Sequence, residues 1–169
     1  RELIIARSGY SKQGGFEIYV DDFSQGEAVW DALFEAGESL DVRAGCPNLI
    51  ERIESGLLSF GSDMTNENTP HESGLSKFCD TRNAIKCVGR DALLKEIENG
   101  PWRQIRSLSI SGPAVPQCRD MWEARKDNIV VGRVSSAVWS PDYQTNVALG
   151  MIHRDHWDPD NILIVETPD

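Results

Sequence analysis

Apolar positions first alternate along this chain and then recur at helical spacing. Leu3 to Ala6 is an apolar run, Gly9 and Gly14-Gly15 punctuate a turn, and Phe16 to Val20 alternates, which predicts a β-hairpin over 2–21. In its second strand Phe16, Ile18 and Val20 share one face, and Glu17 and Tyr19 share the other. Ser24-Gln25-Gly26-Glu27 has the form of a capping box, in which Ser24 and Glu27 satisfy each other's amides. The helix that follows carries Val29, Trp30, Leu33 and Phe34 at helical spacing and stops at Gly37. Leu40 to Arg43 reads as a short strand. Pro47 stands where a first helical residue should, opening a second helix through Leu49, Ile50, Ile53, Leu57 and Leu58 that Gly61 stops. This order predicts an α+β layer, helices on one side of a mixed sheet.

From Ser62 to Cys87 the periodicity vanishes, which predicts a long loop or crossover of the kind that is usually functional. A third helix is predicted from about Arg90 to Asn99, stopped by Gly100-Pro101. Then come strand-like runs at Ile105–Ile110, Ile129–Val138, Asn146–His153 and Ile162–Thr167, separated by turn residues such as Lys126-Asp127-Asn128 and Ser140-Pro141-Asp142. Short strands at this spacing predict a small all-β barrel or sandwich.

Composition narrows the function classes. With 40% hydrophobic and 26% charged residues, the chain is ordinary for a globular protein. No apolar run approaches the ~20 residues of a membrane span, so no membrane partner is expected. A net charge of −10 repels polyanions, and no basic run compensates, so no nucleic-acid partner is expected either. The cysteines, Cys46, Cys79, Cys87 and Cys118, lack metal-ligand spacing and read as reduced, mostly buried thiols of a cytoplasmic protein. The chain opens on Arg1, directly into the first strand-like run, an opening expected of a fragment or processed chain.

Candidate chemistry is sparse. Glu17 is a carboxylate just after a glycine turn, able to accept two parallel N–H bonds, or simply a solvated residue on an open sheet face. Lys12 lies in the glycine turn, where it can meet an anionic substrate or only solvent. The His153-Arg154-Asp155-His156-Trp157-Asp158 segment looks like a metal cluster. Histidines three apart on an extended segment point to opposite faces, however, so it reads as a polar turn and no metal is expected. No nucleophile elbow, phosphate loop or dinucleotide fingerprint is present.

Beyond this point a resemblance carries the reading. Arg7-Ser8-Gly9-Tyr10-Ser11-Lys12-Gln13-Gly14-Gly15-Phe16-Glu17-Ile18 resembles the Arg-Thr-Gly-Tyr-Thr-Gly-Glu-Asp-Gly-Phe-Glu-Ile signature of the glycine cleavage T-protein (aminomethyltransferase) family. Arg52-Ile53-Glu54, Phe60-Gly61-Ser62-Asp63-Met64, Thr69-Pro70, Val88 to Leu93 and Val131 to Gly150 follow that family in register. Lys12-Gln13-Gly14 replaces its Gly-Glu-Asp turn, and Asn48 takes the place of an arginine thought to help hold folate. Both departures look like the family's dimethylsulfoniopropionate demethylase branch.

The resemblance implies an α+β chain: a ferredoxin-like or mixed-sheet folate-binding segment over 1–88, a linker helix over 89–100 and an antiparallel β-barrel over 101–169. It implies tetrahydrofolate as cofactor and a small methyl or aminomethyl donor as partner. Glu17 would anchor the pterin, Tyr10, Asn48 and Arg52 would belong to the folate site, and Lys12 to the donor site. The family's amino-terminal half, which carries an aspartate important for aminomethyl transfer, would be a further partner that this chain lacks.

Overall fold

The computed structural model describes residues 3–9, 14–46, 48–83 and 86–168. Strands β1 (Ile4–Ala6) and β2 (Glu17–Tyr19) form the expected hairpin, antiparallel, with Ile5 opposite Ile18 and Ala6 opposite Glu17. Asp22, rather than Ser24, opens the helical segment: its Oδ1 accepts from the Ser24 N–H at 3.0 Å and the Ser24 hydroxyl at 2.7 Å. A 3₁₀ turn over Phe23–Gln25 then leads into α1 (Gly26–Ala36). Gly37 ends α1 because a Cβ there would lie 2.3 Å from Val42 Cγ2.

Two expectations need correcting here. Leu40 to Arg43 forms no strand; a 3₁₀ turn at Glu38–Leu40 runs into Asp41, whose φ of 54° is left-handed and breaks any extended run. Helix α2 (Leu49–Glu54) stops well before Gly61. Gly56, at φ 67°, closes it: its N–H reaches Ile53 O at 3.0 Å and the Leu57 N–H reaches Arg52 O at 2.9 Å. That pair of bonds is a Schellman stop, and glycine takes the left-handed conformation without strain.

Among the described residues of 62–87 the chain is as irregular as expected, apart from a 3₁₀ turn at Ser76–Phe78. Polar side chains dock it. Glu72 accepts from Arg103 Nε at 2.9 Å, its carbonyl accepts from the Ile105 N–H at 2.8 Å, and Gln104 donates to His71 O at 2.7 Å. Helix α3 (Arg90–Asn99) stops at Gly100, where the sequence placed its end.

The second sheet has five antiparallel strands, β3 (Arg103–Ile110), β4 (Trp122–Lys126), β5 (Ile129–Ser140), β6 (Thr145–His153) and β7 (Ile164–Val165), in the order β3-β6-β5-β4-β7. Trp122, Val134, Ala137 and Ala148 form its buried core. Leu108 and Ile110 from one edge strand and Val165 from the other pack on that same cluster. The β4–β5 turn has Asp127 at φ 50° and Asn128 at φ 65°, the primed geometry whose twist matches a tight hairpin.

Strand β4 was not anticipated. Three of its five residues are charged, only Trp122 and Ala124 are buried, and the register slips between Ala124 and Arg125. The cysteines are all free, as expected, yet not mostly buried: Cys46 and Cys87 are exposed, and Cys79 and Cys118 are intermediate. Burial pushes the Cys118 thiol up to about 11, so it stays protonated at neutral pH.

Candidate functional site

Of the residues singled out in the sequence, Tyr10 and Lys12 lie outside the described residues. Glu17 opens β2 on an exposed face, beside exposed Phe16 and with exposed Tyr19 on its own side. The Ser8 hydroxyl donates to its Oε2 from across the hairpin. A serine thus orients the carboxylate, and among the described residues no side chain donates to Oε1. An oriented acceptor next to an open aromatic face suits a flat ring that offers parallel N–H donors.

Asn48 is the N-cap of α2. Its Oδ1 accepts from the Glu51 N–H at 2.9 Å, while the residue itself stays exposed. One half of the amide holds the helix start, and the other half faces solvent. Asparagine suits both tasks; an arginine at this position could not cap.

Arg52 is placed differently from the expectation. It is only 5% exposed, and its guanidinium points into the protein. Nη1 donates to Asp63 Oδ2 at 2.6 Å and to Leu57 O at 2.9 Å, and Nη2 donates to Ser136 Oγ at 2.7 Å. Three of the guanidinium's five N–H donors are thus used within the chain. Arg52 ties α2 to β5.

Asp63 is the centre of that tie, and the residue-by-residue reading missed it. Its carboxylate accepts from Arg52, from the Ser59 N–H at 2.8 Å, and from the Ser135 and Ser136 hydroxyls, each at 2.6 Å. Burial works to raise its pKa. The two serines, the Ser59 amide and the Arg52 charge outweigh burial and hold it below the ordinary carboxylate value. The available signal was Ser135-Ser136, two adjacent hydroxyls inside a strand run that is otherwise apolar on both flanks except for Arg133. Ser140 repeats the pattern further along β5: fully buried, it donates to Glu54 Oε1 at 2.5 Å.

Next to this junction, a recess of about 600 Å³ separates the 62–72 stretch from the sheet, with Val131 and Met151 on its floor and Arg103, Arg133 and His153 among its polar walls. Glu17, Asn48 and Arg52 do not line it. The structure therefore gathers Arg52, Asp63, Ser135 and Ser136 into one constellation but leaves Glu17 apart from it, on an open surface. His153 stacks edge-on against Trp102 with ring centroids 4.3 Å apart, and among the described residues no group of side chains is arranged to hold a metal ion.

An α+β segment with an oriented, exposed carboxylate is joined through a buried ion pair to a five-stranded antiparallel sheet. Comparison with known proteins gives that architecture its family. Residues 1–83 match the GCVT N-terminal domain and residues 103–169 the glycine cleavage T-protein C-terminal barrel domain. The chain belongs to the glycine cleavage T-protein family.

Among its relatives, a dimethylsulfoniopropionate demethylase of Ruegeria pomeroyi is 55% identical over 99% of this chain and 45% of its own length. An aminomethyltransferase of Oceanobacillus iheyensis is 31% identical over 90% of this chain and 41% of its own length. The crystal structure of glycine cleavage system aminomethyltransferase T from Bartonella henselae superposes with a TM-score of 0.78 at 23% identity, over 97% of this chain and 45% of that one. The chain thus spans about half the length of the relatives it matches. Family members of this kind are folate-dependent methyl or aminomethyl transferases.

Proposed function

We propose that the protein to which this chain belongs transfers a methyl group from a sulfonium donor such as dimethylsulfoniopropionate to tetrahydrofolate, in the cytoplasm. One observation carries the reading: identity to the demethylase is 55% over nearly the whole chain, against 31% to the aminomethyltransferase of Oceanobacillus iheyensis.

The chain divides into a folate-binding segment over 1–88, a linker helix over 89–100 and a barrel over 101–169. Glu17, oriented by Ser8, accepts two N–H bonds from the pterin, and Tyr10 and the free amide nitrogen of Asn48 complete this half of the site. Lys12 receives the donor's carboxylate. Arg52 serves by position: through Asp63 it fixes α2, and hence Asn48, against the barrel.

When bound, tetrahydrofolate supplies the nucleophilic nitrogen. A sulfonium's leaving group departs neutral, so this chain needs no acid or base for it. Orientation supplies most of the acceleration, and exclusion of water helps because charge is dispersed in the transition state. Aminomethyl transfer needs proton handling at the amine and so a dedicated carboxylate. Replacement of the Glu-Asp turn by Lys12-Gln13-Gly14 agrees with the first chemistry.

The remainder of the site comes from further chain of the same protein. The present chain exposes 12361 Å². A compact monomer of its 18.8 kDa mass would expose roughly 8,300 Å² by the usual scaling. Large apolar side chains of the first layer contribute to the excess, with Phe23 100%, Leu40 77% and Phe16 70% exposed. That surface calls for a covering half. The deciding assay gives the full-length protein dimethylsulfoniopropionate in one arm and the aminomethyl donor of glycine cleavage in the other, with the folate product followed by mass: methyltetrahydrofolate in the first arm, methylenetetrahydrofolate with release of ammonia in the second. Turnover of the aminomethyl donor alone would overturn the proposal.

A further inference from the structure

Helix α2 is held from outside rather than by its own length. Its six residues are too few to persist alone, since isolated helices under about 12–15 residues are marginal in water. Strand β5 supplies two attachments. Arg52 donates to Ser136 Oγ at 2.7 Å and to Asp63, and Glu54 Oε1 accepts from the Ser140 hydroxyl at 2.5 Å. Ser140 is fully buried, and its Oγ also accepts from the Tyr143 N–H at 3.0 Å. An amide of the β5–β6 turn thus fills one lone pair of the hydroxyl and leaves its single proton for Glu54.

The two attachments do not duplicate each other. Ser136 and Ser140 share one face of β5 and lie about 13 Å apart along the strand. Arg52 and Glu54, two residues apart on α2, project roughly 200° apart around its axis. One attachment alone would let the helix turn about it. Two, on opposite sides of the axis, fix both its rotation and its slide along β5. An apolar contact would bury α2 as well but would let it slip, whereas a hydrogen bond to a buried hydroxyl is directional. What this fixes is the helix's other end. Asn48 caps α2 through Oδ1, which accepts from the Glu51 N–H at 2.9 Å, so its exposed amide takes its direction from the helix.

We propose that Glu54 and Ser140 are positioning residues of the folate site, acting through α2 to set the direction of the Asn48 amide. The proposal rests on the reading that Asn48 contacts folate. The test is calorimetric tetrahydrofolate binding to the full-length protein, with thermal melts to confirm folding. Glu54→Ala removes the attachment and leaves no buried charge behind, whereas Glu54→Gln keeps an Oε1 acceptor for Ser140. Asn48→Asp keeps the capping oxygen and removes the amide nitrogen. The expected result is a loss of about fivefold in Glu54→Ala, a coupling common among residues of one network, with Glu54→Gln near wild type. Ser140→Ala should match Glu54→Ala, and the double variant should lose no more than either. In the Asn48→Asp background, itself weakened, Glu54→Ala should cost nothing further. Should Ser140→Ala fail to fold, the two Glu54 variants decide alone. Wild-type affinity in Glu54→Ala or in folded Ser140→Ala, beside a weakened Asn48→Asp, would overturn the proposal and leave the folate reading standing. Wild-type affinity in Asn48→Asp would remove Asn48 from the site and overturn that reading together with the proposal. Glu54→Gln as weak as Glu54→Ala, or a full further loss on top of Asn48→Asp, would show an effect by another route and would overturn the proposal as well.

Discussion

Two carboxylates in this chain illustrate how much environment decides. Glu17 sits on an open face with a single hydroxyl donor, whereas Asp63 is enclosed by a guanidinium, an amide and two hydroxyls. The first is exposed and the second is committed to structure. A bidentate carboxylate–pterin contact is worth about 1.5–3 kcal/mol, roughly 10- to 150-fold in affinity. Glu17→Gln turns one acceptor toward a pterin donor as a donor, so calorimetry on the full-length protein should show folate affinity falling by that factor. Its melting temperature should hold, because the residue is exposed. Unchanged affinity would remove Glu17 from the site.

Asp63→Asn should do the reverse, leaving Arg52 buried and uncompensated at a cost of about 3–5 kcal/mol in denaturant melts. The pH dependence follows from the depressed carboxyl. Its contribution is complete above the unfolded value of 3.8 and is lost as pH falls through the lower folded value, since the unfolded chain binds the proton more readily. Acid melts of the wild type should therefore steepen below about pH 4, and those of Asp63→Asn should lack that component. A variant with wild-type stability at neutral pH would show the junction to be dispensable.

At the scale of elements, periodicity reported each segment's own buried face and little more. Helix α3 and strands β3, β5 and β6 were legible because several apolar residues repeat in register. Strand β4 was not, because its burial depends on a short partner, β7, and on a register slip that no local pattern announces. The same limit explains α2: its apolar positions continue to Leu58, but Gly56 provides the stop and the chain turns there.

Close strand packing yields a further prediction. At Gly132, a Cβ would fall 2.5 Å from Ile152 Cδ1 and 2.6 Å from Met151 O, so β5 and β6 approach where only glycine fits. Gly132→Ala should destabilise the sheet by about 1–3 kcal/mol, read as an earlier urea midpoint with an unchanged slope. No midpoint shift would show that the strands can part without cost.

For the whole molecule, the ratio of surface to mass is the informative quantity. A chain that exposes about half again the area of a compact protein of its size, with Ile4 67% and Phe16 70% exposed, should not behave as a well-covered monomer by itself. Expressed alone, residues 1–169 should bind a hydrophobic dye strongly and self-associate in sedimentation. The full-length protein should do neither. A dye-silent, monomeric fragment would mean that the first layer finds its own cover. No helix among the described residues is long and apolar enough to cross a membrane, so the exposed apolar surface is not a helical membrane span.

Local sequence by itself determined the hairpin, the third helix, the stop at Gly100, the turn at Asp127-Asn128 and the ordered motifs that mark the family. Each of these is written in neighbouring residues, through a period, a cap or a left-handed position. Tertiary structure alone decided that Arg52 would face Asp63 and Ser136, and that the hydroxyls of Ser135 and Ser136 would converge on one carboxylate. Those relations join residues far apart in the chain, and the energy of a buried charge or acceptor depends on which groups packing brings within 3 Å of it.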